Sequence, residues 1–201
     1  MYASPYQPDF CQWAFAYEHD EDRFNPRMCS LIGAKSVAEK PIPGFTELPV
    51  DIMMTHGPPY ANLDRVVNGN LVGCPHLLRA LMRSRPLIHC FGHIHEDWGA
   101  ERITWGPAVD EVCAKSTTIK EFKKTWGDEI AEDGITRIGT KTAAAAEKRC
   151  VEVDLSKNAR RPIQRGHETL LVNAAIMNVA YEPVNAPWVV MVDLPKAGAA
   201  V

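Results

Sequence analysis

The stretch LIHCFGHIHEDWG, residues 87–99, places His89, His93 and His95 at the end of an apolar run. A fourth histidine, His56, ends a second apolar run, VDIMMT, and precedes Gly57-Pro58-Pro59. Neutral imidazole suits zinc, iron, manganese or nickel. The one-residue gap lets His93 and His95 address two neighbouring ions, and Gly92 permits a sharp bend before them. The proline pair holds the His56 loop stiff, as a preorganised ligand requires. His56, His93 and His95 are therefore the candidate metal ligands. His89, inside the apolar run, reads as core or as support for the ligands. His76 and His167 read as packed side chains, and His19, in the acidic run YEHDEDRF, as part of a solvated turn.

The elements that must carry these residues follow from periodicity. VDIMM is a short buried strand that runs into a rigid loop. GCPHLLRALMRSRP places Cys74, Leu77, Leu78, Leu81 and Met82 on one helical stripe, with Pro75 in the first turn and Pro86 as the stop. LIHCF is a second buried strand. Strand, helix and strand within about 40 residues form a βαβ unit, so a parallel sheet is expected. In an open α/β sheet, ligands collect beyond the C-terminal ends of the strands, where His56, His93 and His95 fall.

Elsewhere the signals are weaker. The many prolines of residues 1–48 argue against long helices, and FCQWAFAY alternates as one short strand would. ERITW, TLLVNAAIM and PWVVMVDLP read as strands, the last two joined by NVAYEPVNA. Residues 107–166 are polar and mixed. They read as a partly helical insertion, with a helix at STTIKEFKKTW and solvated segments at GTKTAAAAEKR and SKNARRPIQRG. The tail KAGAAV, residues 196–201, reads as frayed.

The chain has 201 residues, 46% of them hydrophobic, enough for one domain, 1–201, with a core of its own. A net charge of -3 and a pI near 6.2 provide no basic face, so neither nucleic acid nor an anionic membrane is the expected partner. The first ten residues lack a signal-peptide layout, and a cytoplasmic location is expected. Six well-separated cysteines without a Cys-x-x-Cys pair read as thiols, not as a disulfide framework.

DIMMTHGPP, GCPHLLRALMRSRPLIHCFGHIHEDWG and LVNAAIMNVAYEPVNAPWVVMVDLP together resemble the calcineurin-like metallophosphoesterases, in particular the small metallophosphoesterase-domain subgroup. SPYQPDFCQWAFAY is similar to another stretch of that subgroup. The resemblance covers residues 1 to about 106 and 166 to 195. It implies an α/β fold of metallophosphatase type, a β-sandwich flanked by helices, with a two-metal site at the strand ends. It also implies that His56 and His93 bind the second metal and His95 the first. The implied chemistry is hydrolysis of a small phosphoester, a phosphodiester or monoester, by a water made acidic between two ions of manganese, iron or zinc.

Three motifs of that family have no counterpart here: an early Asp-x-His, a Gly-Asp that bridges the metals, and a Gly-Asn-His. The Gly-Asp at Gly127-Asp128 follows the histidines, and Gly69-Asn70 is followed by Leu71. The reading is a single partial domain, the C-terminal half, lacking its N-terminal strands. No catalytic residue is then identifiable on this chain. Three neutral ligands do not offset two divalent charges, so at most one ion is expected, with zinc or copper favoured over manganese. Weak turnover, a non-catalytic binding module and a mononuclear three-histidine zinc protein all remain open. Loss of early strands is expected to leave DIMM or LIHCF with an unpaired edge and an uncovered apolar face. Asn173, at another strand end, is the candidate substrate contact. Asp97 stands where relatives commonly have glycine and reads as a solvated loop residue; a positive φ there, if the backbone needs it, is tolerated by aspartate at some cost.

Overall fold

The structure, a computed structural model, describes residues 1–115, 117–127, 134–138 and 150–196. The N-terminal strands are β1 (Tyr2–Ser4), β2 (Gln7–Pro8), β3 (Ala16–Tyr17), β4 (Glu21–Asp22), β5 (Lys35–Ser36) and β6 (Ile52–Thr55). Then come α1 (Pro75–Ser84), β7 (Ile88–Phe91), β8 (Gly99–Thr104), α2 (Pro107–Ala114) and α3 (Ile119–Thr125). The remaining strands are β9 (Ile135–Ile138), β10 (Val151–Asp154), β11 (Glu168–Asn173) and β12 (Trp188–Met191).

The fold is α/β. Its central sheet runs in the order β1-β6-β7-β11-β8-β9. The first four of these strands are mutually parallel, and β8 and β9 are antiparallel additions. The β6–α1–β7 unit is the expected parallel crossover. Cys74 caps α1, its thiol accepting from the Leu77 N–H, and Pro75 occupies the first turn. The αL residue Arg85 closes the helix by donating its N–H to the Leu81 carbonyl. All five stripe residues are buried. The opposite face is covered as well: Arg79, only 4% exposed, donates to the carbonyls of Cys29, Val112, Cys113 and Lys115.

Alternation along the strands splits the core into two layers. On the helix side, Leu77, Leu78, Leu81, Val109, Phe122 and Trp126 pack on Met53, Phe91, Ile103 and Leu171. On the other side, Val153, Leu155, Trp188 and Val190 of the parallel β10–β12 ladder pack on Ile88, Ala100, Leu170 and Val172. Leu170 and Leu171, both fully buried, point to opposite layers, and each contributes about 2 kcal/mol of apolar transfer.

Several expectations change. FCQWAFAY is not one strand: only Ala16–Tyr17 pair, with Gln7–Pro8, because Cys11, Gln12 and Phe15 adopt φ of 53°, 56° and 61° and the chain doubles back. DIMM and LIHCF do not form an edge, since β1 pairs along β6 and leaves β6 and β7 interior. The face of β6 away from the helices is open, with Met54 46% exposed. Asp97 does not have positive φ and sits in a 3-10 turn, His95–Asp97. Within 107–166, α2 and α3 are joined by two strands that periodicity did not reveal, β9 on the sheet edge and β10. GTKTAAAAEKR and all of KAGAAV but Lys196 lie outside the described residues. All six cysteines are free thiols. Among the described residues, no helix is long and apolar enough to cross a membrane.

Candidate metal centre

Parallel β6, β7 and β11 deliver their C-terminal ends to one edge, and antiparallel β8 starts there, with Asn173 opposite Gly99. His56 follows β6, and His93 follows β7 after one glycine. Their rings meet with Nε2 of His56 3.1 Å from Nδ1 of His93 and ring centroids 4.7 Å apart. One nitrogen donates and the other accepts, which requires at least one bare lone pair. Burial lowers the pKa of His56, and burial together with the fields of His56 and His95 pushes His93 down to about 4. Both rings are neutral at pH 7, the form that binds metal.

The backbone makes the turn at an unexpected position. Gly92 is not left-handed; His93 itself is, at φ 69°. A non-glycine residue there is strained. The His56 loop is held from below. The Thr55 hydroxyl donates to the Gly57 carbonyl at 2.7 Å, so it must accept from Nε2–H of His89 at 2.8 Å. His89 is fully buried and its pKa is pushed by burial down to about 3, so it supports the loop as a neutral donor. Gly73 admits the chain beyond His56: a Cβ there would sit 2.4 Å from the Pro59 carbonyl oxygen.

His95 opens the 3-10 turn. Its Nδ1 lies 3.1 Å from the Asn178 carbonyl, which can only accept, so Nδ1 carries a proton and donates it, and Nε2 is the nitrogen left outside this bond. Metal-binding histidines commonly have this second hydrogen bond. Asn173 is fully buried, and its amide donates to the carbonyls of Leu63, Ile94 and Asp97. Its carbonyl accepts from Ala175, so the side chain clamps the His93–Asp97 loop to β11. Asp97 accepts from the Arg65 N–H and pairs with Arg137, while Asp64 accepts from the N–H groups of Ala61 and Gly73. His76 is buried beside Asp22, His19 is exposed, and the His167 carbonyl accepts from Trp105.

The donor set can be compared with the group it would hold. Two imidazole nitrogens on one tetrahedral zinc, at about 2.0–2.1 Å each, lie about 3.3 Å apart. The His56–His93 spacing of 3.1 Å fits one edge of a single ion's shell. Among the described residues, no three His, Cys, Asp or Glu side chains converge on a common point.

Sequence reasoning missed Phe10, Trp13, Asn178 and Tyr181. Phe10 and Trp13 contact the His93 ring, and Tyr181 contacts that of His95. No short-range pattern links them to the histidines.

No family model matches the chain. Over 103 residues, 49% of its length, it is 37% identical to metallophosphoesterase domain-containing protein 1 of Homo sapiens, covering 26% of that protein. Over a stretch of the same length it is 35% identical to a UPF0046 protein of Caenorhabditis elegans, covering 21% of it. This chain is a relative of the metallophosphoesterases. A further match, 37% identical over 129 residues and 63% of the chain, is to a protein named probable rhamnogalacturonate lyase C of Emericella nidulans. It covers 10% of that protein, too small a share to bring the lyase name to this metallophosphoesterase relative. The chain thus spans between a tenth and about a quarter of the curated relatives it matches. Divalent-metal use is what the family name implies.

Proposed function

We propose that His56 and His93, with His95 beside them, form the histidine side of a metal-dependent phosphoesterase centre in a metallophosphatase-type fold. In this reading the β10–β12 ladder is part of the second sheet. The observation that carries it is the pair of neutral imidazoles 3.1 Å apart at the C-terminal edge of the parallel sheet. A divalent ion held by that pair supplies Lewis acidity toward a phosphoryl oxygen. The chain's own contribution is positional. His89 and Thr55 fix the His56 loop, Asn173 fixes the His93–Asp97 loop, and the Asn178 carbonyl orients the His95 ring through its Nδ1–H. The substrate is a small phosphoester. Among the described residues, Asp64 and Asp97 accept from backbone N–H groups, and Glu96 is a carboxylate whose field reaches His93.

Metal analysis of purified protein and zinc calorimetry test the reading. One equivalent is expected, lost in His56→Ala and His93→Ala, with weak hydrolysis of bis-p-nitrophenyl phosphate. Two equivalents with full turnover would overturn the half-site reading. No binding of zinc or manganese would favour a non-catalytic module, a second reading supported by the lack of a third converging donor among the described residues.

A further inference from the structure

Exposed aromatic rings approach the imidazoles on two flanks. Phe10 and Trp13, 55% and 47% exposed, lie edge-on to the His93 ring at centroid distances of 6.4 and 5.9 Å. The two rings meet each other at 5.5 Å and 90°, forming a corner. On the other flank Tyr181, 66% exposed, meets the His95 ring at 5.5 Å. Apolar rings left in water forgo the free energy of burial. Strained backbone accompanies them: Cys11 and Gln12, between Phe10 and Trp13, have φ of 53° and 56°, and Tyr181 has φ of 60°. The Phe10–Trp13 turn is closed by the Trp13 N–H to the Phe10 carbonyl, and its base by the Asp9 N–H to the Tyr17 carbonyl. Strain of this kind persists where the surrounding structure over-determines it, and it clusters at ligand clamps.

Resting on the phosphoesterase reading, we propose that Phe10 and Trp13 bind the organic group of the ester, and that this group is an uncharged aromatic ring joined directly to the ester oxygen. The corner abuts His93, so the group that packs against it is the one next to the phosphoryl at His56–His93. Two perpendicular rings offer an incoming ring both offset-stacked and edge-to-face contacts.

The test is calorimetric binding to zinc-loaded protein of three probes: inorganic phosphate, glycerol phosphate and 1-naphthyl phosphate. Stacking on exposed aromatics predicts that 1-naphthyl phosphate binds about tenfold more tightly than glycerol phosphate. Phe10→Ala and Trp13→Ala each reduce that ratio, the double variant brings it near one, and the affinity for inorganic phosphate stays unchanged. Trp13→Phe keeps the preference. Both residues are exposed, so unchanged melting temperatures are expected and confirm folding. A preference that survives in the double variant overturns the proposal, as does adenosine monophosphate binding as tightly as 1-naphthyl phosphate. Failure of inorganic phosphate to bind instead sinks the phosphoesterase reading. Saturation transfer from the metal-free protein's Trp13 indole to naphthyl phosphate then reports the corner alone, and its absence overturns that too.

Discussion

Glu101 lies on β8 with its side chain 4% exposed and faces Arg137 on β9, the ion pair closing at 2.9 Å. Its second oxygen has no hydrogen-bond partner among the described residues. Burial raises its pKa from 4.5 to about 7, aided by the negative fields of Asp97 and Asp64 and only partly opposed by Arg137. A carboxyl whose folded pKa is raised gives stability that is complete below the unfolded value and lost as pH rises through the folded one. Here that window runs from about 4.5 to about 7, and the change corresponds to about 3 kcal/mol. Glu101→Gln keeps the shape and removes the ionisation. The pair with Arg137, which is 64% exposed, is already contained in that raised pKa, so its loss is not subtracted again. The variant should therefore be about 3 kcal/mol more stable than the parent at pH 8, or about 6–12 °C in Tm for a chain of this size. Thermal melts of both proteins from pH 5 to pH 8.5 measure the gap, expected near zero at pH 5 and fully open by pH 8. A gap of constant size refutes the ionisation argument. A variant less stable at pH 8 shows that the Arg137 pair outweighs desolvation.

Two other predictions concern the histidines. His89 has a folded pKa far below that of an unfolded imidazole, so its contribution to stability is complete above about 6.5 and is lost as pH falls toward about 3. Acid denaturation should steepen by about 1.4 kcal/mol per pH unit over that window, and His89→Leu should remove one proton from the slope measured by urea melts at pH 4 to 6. At position 93, glycine would relieve the left-handed strain without disturbing a core side chain. His93→Gly should leave unfolding free energy within about 1 kcal/mol of the parent while abolishing the zinc heat in calorimetry. Retained zinc binding would remove His93 from the ligand set.

The parts of this fold that were legible in the sequence are those whose information is local. The α1 stripe, its proline start and stop, and the flanking apolar runs lie within residues 50–91, so β6–α1–β7 could be read directly. β9 and β10 could not. Their segments, ITRI and VEVD, each carry two apolar residues, too few to tell a strand from a solvated loop until Glu101 and Trp188 stand beside them. His56 and His93 were legible because each follows an apolar run. The Asn178 carbonyl that orients the His95 ring lies 83 residues away, and nothing in the spacing announces it. FCQWAFAY misled for a physical reason: alternation describes side chains, whereas three positive φ angles within five residues decide the path of the backbone.

Strain and exposure together carry an argument that neither makes alone. A left-handed non-glycine residue costs about 1 kcal/mol. Inside a core, a large side chain can offset that by its own burial. The His93 ring is only partly buried, touches two exposed aromatics and another imidazole, and has no carboxylate hydrogen-bonded to it among the described residues. Glycine at 93 itself would serve the turn at less cost. The chain instead places glycine at 92, where the backbone does not require it, and imidazole at 93, where the backbone resists it. Packing does not account for that arrangement. A ring nitrogen set beside His56, as the proposed metal centre requires, does.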